Sequence, residues 1–227
     1  MKTMLTCAAV AALLATVGPA SAQSPAPASY KATRDFSYNN PGGVWSYGYG
    51  TAGDKASFVR YPAGLISAAN GLLDSFYDGE SSVSVNATGA VALHDPGSSK
   101  VVIPTDALVM HPRLDGQETM VVFTAPAHSF YRMEGFFEIL DNAPTSVAPR
   151  IVIGTKDQTR KAFGEKQTVV LSGAADPAAL KPGEKKSFSF TRELSKNQRV
   201  QFALNPNGHW RFDSTGFDVT ITPVASK

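Results

Sequence analysis

Cysteine is all but missing from this chain. The single one, Cys7, lies in the apolar opening stretch. The rest therefore has no disulfide, no C-x-x-C redox pair and no thiolate metal cage, and burial alone must stabilise the fold. Cys7 also precedes most of the apolar run, which argues against a lipoprotein attachment site. An excess of one charge is missing too: 21 Lys and Arg face 19 Asp and Glu, a formal net charge of +2. That balance argues against a nucleic-acid binder or a polybasic membrane binder. Basic residues do gather between Lys156 and Arg199, but Asp and Glu interrupt them, as on a solvated, turn-rich face. Long apolar runs are missing as well. The longest, Met4–Val17, falls short of the roughly 20 residues a membrane-spanning helix needs. Local catalytic signatures are absent: His94, His111, His128 and His209 form no H-x-x-x-H or H-E-x-x-H pair, and no G-x-S-x-G elbow occurs.

What is present begins with an export signal. Lys2 opens it, the Ala/Leu-rich run follows, and Pro19-Ala20-Ser21-Ala22 supplies small residues for cleavage after Ala22. The expected mature protein is residues 23–227, in the periplasm or outside the cell. Residues 23–30 begin QSPAPAS and read as a flexible lead-in; residues 31–223 read as one domain, and 224–227 as a tail without an anchor.

The body of the chain reads as β nearly throughout. Ala32–Phe36, Val44–Tyr49, Phe58–Tyr61, Val83–Val85, Ala90–Leu93 and Val101–Ile103 are expected strands in the first half. Glu118–Thr124, Phe130–Leu140, Ile151–Ile153, Thr168–Leu171, Phe188–Thr191, Val200–Leu204 and Phe217–Ile221 follow. Phe130–Leu140 alternates most strictly: Tyr131, Met133, Gly135, Phe137 and Ile139 on one face, Arg132, Glu134, Phe136 and Glu138 on the other. Only Leu65–Tyr77 carries a loose helical spacing, interrupted by Gly71. These short strands, punctuated by Gly, Pro, Asn and Asp, predict an all-β, jelly-roll-type sandwich of two antiparallel sheets.

Several residue groups could carry function. Gly48-Tyr49-Gly50-Thr51-Ala52-Gly53 matches G-x-G-x-x-G, but a strand-like segment follows it where a dinucleotide site needs a helix, so it reads as a β connection. Glu134 and Glu138 share a strand face, yet four residues put their Cα atoms roughly 13 Å apart. Glycosidase carboxyls stand roughly 5–9.5 Å apart. Beside them, Phe136 and Arg132 make a face where an aromatic could stack on a sugar while charged groups bond its hydroxyls. Trp45, Tyr47 and Tyr49 form a period-two stripe that suits a core. Trp210, after the Asn207-Gly208 turn and beside His209, is the better exposed aromatic. Asp141 and Asp213, at strand ends, are candidate ligands for a structural Ca²⁺ ion, although no D-x-D-x-D-G loop is present. The sequon Asn86-Ala87-Thr88 marks a turn.

Phe36-Ser37, Asn40-Pro41-Gly42-Gly43-Val44-Trp45-Ser46-Tyr47-Gly48-Tyr49, Leu108-Val109-Met110-His111-Pro112, Val121–Pro126, Gly135-Phe136-Phe137 and Asn205–Gly216 occur in an order that resembles exported bacterial jelly-roll domains. These are frequent in proteins with exosortase (PEP-CTERM) sorting tails. The resemblance covers roughly residues 33–222 and implies a carbohydrate-binding-module-like sandwich on an extracellular protein. It implies no catalytic residues, and it includes His111 and Trp210 without assigning them roles. No sorting tail follows Lys227, which departs from that pattern. The expectation is a non-catalytic binding module for an extracellular glycan or matrix polymer, with Trp210, Phe136, Glu134, Glu138, Arg132 and His111 as ligand contacts. An envelope or biofilm assembly protein is the alternative. A hydrolase or lyase using Glu134, Glu138 and His111 is a third reading. No oligomeric state follows from the sequence.

Overall fold

The computed structural model describes residues 29–145, 147–154, 168–172 and 183–224; the leader, most of the lead-in and residues 225–227 lie outside them. Sixteen strands follow one another in these residues: β1 (Tyr30–Lys31), β2 (Trp45–Gly50), β3 (Val59–Arg60), β4 (Ile66–Ala68), β5 (Leu73–Tyr77), β6 (Ser82–Asn86), β7 (Ala92–His94), β8 (Val101–Ile103), β9 (Leu108–His111), β10 (Glu118–Thr124), β11 (Ser129–Ile139), β12 (Ala148–Ile153), β13 (Thr168–Ser172), β14 (Lys185–Leu194), β15 (Arg199–Asn205) and β16 (Thr215–Val224). The larger sheet runs β14-β11-β16-β9-β6-β5-β4, with β1 also paired to β16; the smaller runs β13-β12-β15-β10-β2-β3. All pairings are antiparallel. From β10 onward, apart from the β12–β13 pair within the smaller sheet, the chain passes back and forth between the sheets, which is the jelly-roll connection expected from the sequence. No helix among the described residues is long and apolar enough to cross a membrane.

Alternation places the core. In β11, Tyr131, Met133, Phe137 and Ile139 are buried between the sheets, while Arg132 and Glu134 are exposed. Trp45 and Tyr47 of β2 enter the same core, Trp45 against Phe123 and Tyr47 stacked on Phe76, so this stripe is packing and not a ligand platform.

Two expected elements are different in the structure. Ala32–Phe36 is turn, not strand: the Asp35 N–H closes on the Lys31 carbonyl at 2.9 Å, and the Asp35 carboxylate takes the Lys31 N–H at 2.8 Å. Leu65–Tyr77 is not helical but a hairpin of β4 and β5, because Ala69, Asn70 and Gly71 all hold positive φ and reverse the chain.

The G-x-G-x-x-G segment is a β connection. A Cβ on Gly48 would stand 2.2 Å from the Val59 carbonyl oxygen and 2.9 Å from the Phe58 ring. The loop after it lies over the smaller sheet, where Glu118 Oε2 accepts the Ala52 N–H at 2.5 Å and Gln201 Oε1 accepts the Gly53 N–H at 2.7 Å. Gly48→Ala is expected to cost about 1–3 kcal/mol through overpacking, read as a lower urea midpoint at unchanged m.

Candidate functional site

Leu108 and Met110 of β9 point into the core, so Val109 and His111 point to the outer face of the larger sheet. That face is partly covered by the β7–β8 hairpin. Val101 and Ile103 form a second apolar cluster there with Val109 and Leu140. The hairpin is tied down by Val102 N–H to Leu140 O (3.1 Å), Asn142 N–H to Lys100 O (2.9 Å) and Lys100 N–H to Asn142 Oδ1 (2.7 Å).

Where the hairpin ends, a cleft of about 480 Å³ opens. Val109, His111, Ser82 and Leu73 form its sheet side, His94, Ser98 and Ser99 come from the hairpin, and Asp141 follows β11. Trp210, Arg211 and Phe212 close the remaining side. A neighbouring hollow of about 330 Å³ shares His111 and Trp210 and adds Tyr77, Glu80 and Leu114. Trp210 is half-buried; Tyr77 and Leu114 are 45% and 61% exposed, leaving apolar surface open on that side. The Trp210 ring meets His111 edge-on at 5.8 Å between centroids, and the Arg211 guanidinium carbon lies 5.7 Å from the Trp210 ring centre.

The turn before the tryptophan is set by Asn207 and Gly208, both at positive φ, and by the Asn207 N–H bonding Asn205 Oδ1 at 2.8 Å. Asp213 then anchors the segment: fully buried, it accepts the Thr145 N–H at 2.9 Å, while the Thr145 hydroxyl lies 2.7 Å from the Arg211 carbonyl. Phe212 holds φ at +61°, and Ala69, on the opposite rim, at +50°. Left-handed backbone at such residues costs of order 1–3 kcal/mol each and tends to collect at ligand sites. These two, the residues other than glycine and asparagine that hold it among the described residues, border one cleft.

Burial pushes the His111 imidazole below its ordinary pKa, with the Pro112 carbonyl and Asp141 acting in the opposite sense. Asp141 itself is 2% exposed; its oxygens accept from the Ala143 N–H at 3.0 Å and the Ser99 hydroxyl at 3.2 Å. Both candidate calcium ligands thus already serve protein donors. Among the described residues no three His, Cys, Asp or Glu side chains gather as a metal site.

Apart from Asp213, which anchors the segment after Trp210, the structure divides the residues singled out from sequence into two groups. His111, Trp210 and Asp141 line the cleft. Arg132, Glu134, Phe136 and Glu138 lie on the outward face of β11, separated from β9 by β16. There Arg132 pairs with Glu134 at 2.6 Å and Lys185 pairs with Glu138 at 3.1 Å. The Lys185 ammonium also sits 4.3 Å from the Phe136 ring centre. The carboxylates are engaged by cations, and the aromatic face is capped. His94, Ser99 and Arg211 of the cleft and Tyr77 of the adjoining hollow are residues that sequence reasoning missed. A hairpin reading of Leu65–Tyr77 would have exposed Tyr77 as an outward residue, since it pairs with Ser82, itself opposite His111.

No family model and no curated protein matches the chain. Among solved structures it is similar to the enzymatically active domain of bacteriophage CBA120 tailspike protein 4 (10% identity over 70% of this chain, TM-score 0.36). It is also similar to the CBM22-1 xylan-binding domain from Paenibacillus barcinonensis Xyn10C (10% identity over 62%, TM-score 0.34). A third is the N-terminal cellulose-binding domain of Cellulomonas fimi β-1,4-glucanase C (17% identity over 62%, TM-score 0.30). The match spans 20% of the tailspike chain, 89% of the xylan-binding domain and 95% of the cellulose-binding domain.

Proposed function

We propose that this protein is an exported, non-catalytic module that binds an extracellular glycan or matrix polymer in the cleft beside Trp210. The observation that carries this reading is the cleft itself. A half-buried tryptophan flanks an open, hydroxyl- and imidazole-lined depression on the outside of a rigid sheet. An aromatic ring offers a flat apolar surface to a sugar, and convergent polar groups orient its hydroxyls. The export half of the proposal rests on the leader, residues 1–22. The acid/base alternative has little support from β11, whose two glutamates are each held by a cation.

One observation favours the assembly reading. β14 has a neighbour on only one side among the described residues, and an open edge can pair with another copy. Lys185, Lys186 and Arg192 lie along it, however, and such charges oppose edge pairing. Sedimentation against concentration separates the two: a concentration-independent monomer leaves the binding module.

The direct test is retention of residues 23–227 on a panel of insoluble polysaccharides and immobilised glycans, with Ca²⁺ and with chelator. Trp210→Ala is expected to weaken retention about 30-fold, roughly 2 kcal/mol, with an unchanged melting temperature. Equal retention by wild type and variant would remove Trp210 from the site.

A further inference from the structure

We propose that His111 is the specificity-determining acceptor of this site: its Nε2 lone pair takes a hydrogen bond from a hydroxyl of a sugar ring lying against Trp210. The inference deepens the glycan-binding reading and rests on it.

Position comes first. His111 ends β9, and it lines both the larger cleft and the adjoining hollow, so a chain passing from one to the other must cross it. Trp210 stands edge-on to the imidazole, and their contact fixes the ring beside the aromatic surface a sugar would use.

The tautomer follows from the hydrogen bonding. Nδ1 lies 3.0 Å from the Pro112 carbonyl oxygen. A carbonyl can only accept, so in the neutral ring Nδ1 carries the hydrogen and Nε2 keeps its lone pair. Among the described residues no donor engages Nε2. An imidazole in this state recognises donors and rejects ligands that present only acceptors, because two lone pairs would then face each other in a half-buried space. Sugar hydroxyls are donors; this nitrogen therefore selects a hydroxyl-bearing ring over an ether- or ester-substituted one at the same position.

Charge around the ring is mixed. Asp141 approaches from the segment after β11, and Arg211 from the loop before β16. His94 comes from the hairpin, and Glu80, held by Arg113, comes from the β5–β6 turn. Burial keeps the ring neutral at pH 7 by lowering its pKa. Protonation turns Nε2 from acceptor into donor. Binding is thus strongest above the His111 pKa and weakens as pH falls through it, at a point below the ordinary imidazole range.

The test is calorimetric titration of the protein with xylo-, cello-, manno- and galacto-hexasaccharides between pH 8 and pH 4.5, alongside ¹⁵N spectra of the histidine rings. For the hexasaccharide that binds, wild-type affinity should fall about tenfold or more across this range, with its midpoint at the His111 titration seen by NMR. His111→Ala should be about tenfold weaker at pH 7.5. His111→Gln, whose amide oxygen accepts without titrating, should stay within about threefold of wild type and bind with a flat pH profile. Unaltered binding by His111→Ala, a pH profile that survives in His111→Gln, a midpoint that follows His94, or a hydrogen on Nε2 would each overturn the assignment and leave the glycan reading standing. Binding of none of the four hexasaccharides by wild type would overturn both.

Discussion

Replacing Arg113 by alanine is expected to destabilise the protein by about 3–5 kcal/mol, the range for removing one partner of a buried ion pair. The Arg113 side chain is 9% exposed and meets Asp78, Glu80 at 2.8 Å and Asp115 at 3.1 Å. Its guanidinium carbon lies 3.8 Å from the centre of the Tyr49 ring. Asp78 cannot simply swing into water when the cation goes. Its other oxygen is held by the Glu80 and Ser81 N–H groups at 3.1 and 2.9 Å. Alanine therefore leaves a carboxylate that is only 12% exposed without its counter-ion. Lysine should recover little, because a single ammonium cannot serve three carboxylates arranged around a planar fork. Urea unfolding measures the loss. The pH dependence carries a second signature. Burial acts to raise the Asp115 carboxyl, but its bonds from Arg113 and the Gln117 N–H outweigh that and hold it below the usual carboxylate range. A depressed carboxylate contributes stability above its unfolded pKa and loses it as pH falls through the folded one. The acid limb of the stability profile should accordingly flatten in Arg113→Ala. The arginine also joins the β5–β6 turn to the β9–β10 link, the two segments that frame the hollow beside Trp210, so the variant should bind ligand more weakly as well.

Legibility from sequence followed the burial of each strand. β10 and β11 were readable almost to the residue, β11 because one of its faces is core and the other solvent. β9 carries no strand signal for the opposite reason. Leu108 and Met110 face the other sheet, while Val109 packs under the hairpin, so the run is apolar on both sides and carries no alternation. In the β4–β5 hairpin the Asn70-Gly71 pair is a legible turn signal that outweighs the loose helical spacing around it, whereas the positive φ of Ala69 has no counterpart in its residue type. At the site, residue chemistry was visible and proximity was not. His111 and Trp210 are brought together by the pairing of β9 with β16, a long-range register with no local trace. The capping of Phe136 by Lys185 likewise depends on the β11–β14 register, in which Glu138 lies opposite Lys185.

Phe202→Ala should give the opposite pattern to Trp210→Ala: a large loss of stability with ligand affinity intact. Phe202, on β15 of the smaller sheet, is fully buried and touches Phe217 at 5.1 Å and Phe188 at 5.9 Å, both on the larger sheet. Phe217 in turn meets Phe137 at 5.0 Å. This aromatic file is where the two sheets grip each other, and removing its one member from the smaller sheet leaves a cavity between them. The expected cost is about 3–5 kcal/mol, a substantial part of the roughly 5–15 kcal/mol that stabilises an ordinary domain. The melting temperature should fall by roughly 10 °C. The proposed site lies on the outer face of the larger sheet, so none of its contacts passes through Phe202. Well below the melting point, the folded variant should therefore bind its glycan as wild type does. A calorimetric melt and a titration on the same sample read both quantities. A variant that melts normally would show that the sheets do not depend on this file. One that stays folded yet binds poorly would mean that the site extends through the core, and would move the search for ligand contacts away from Trp210.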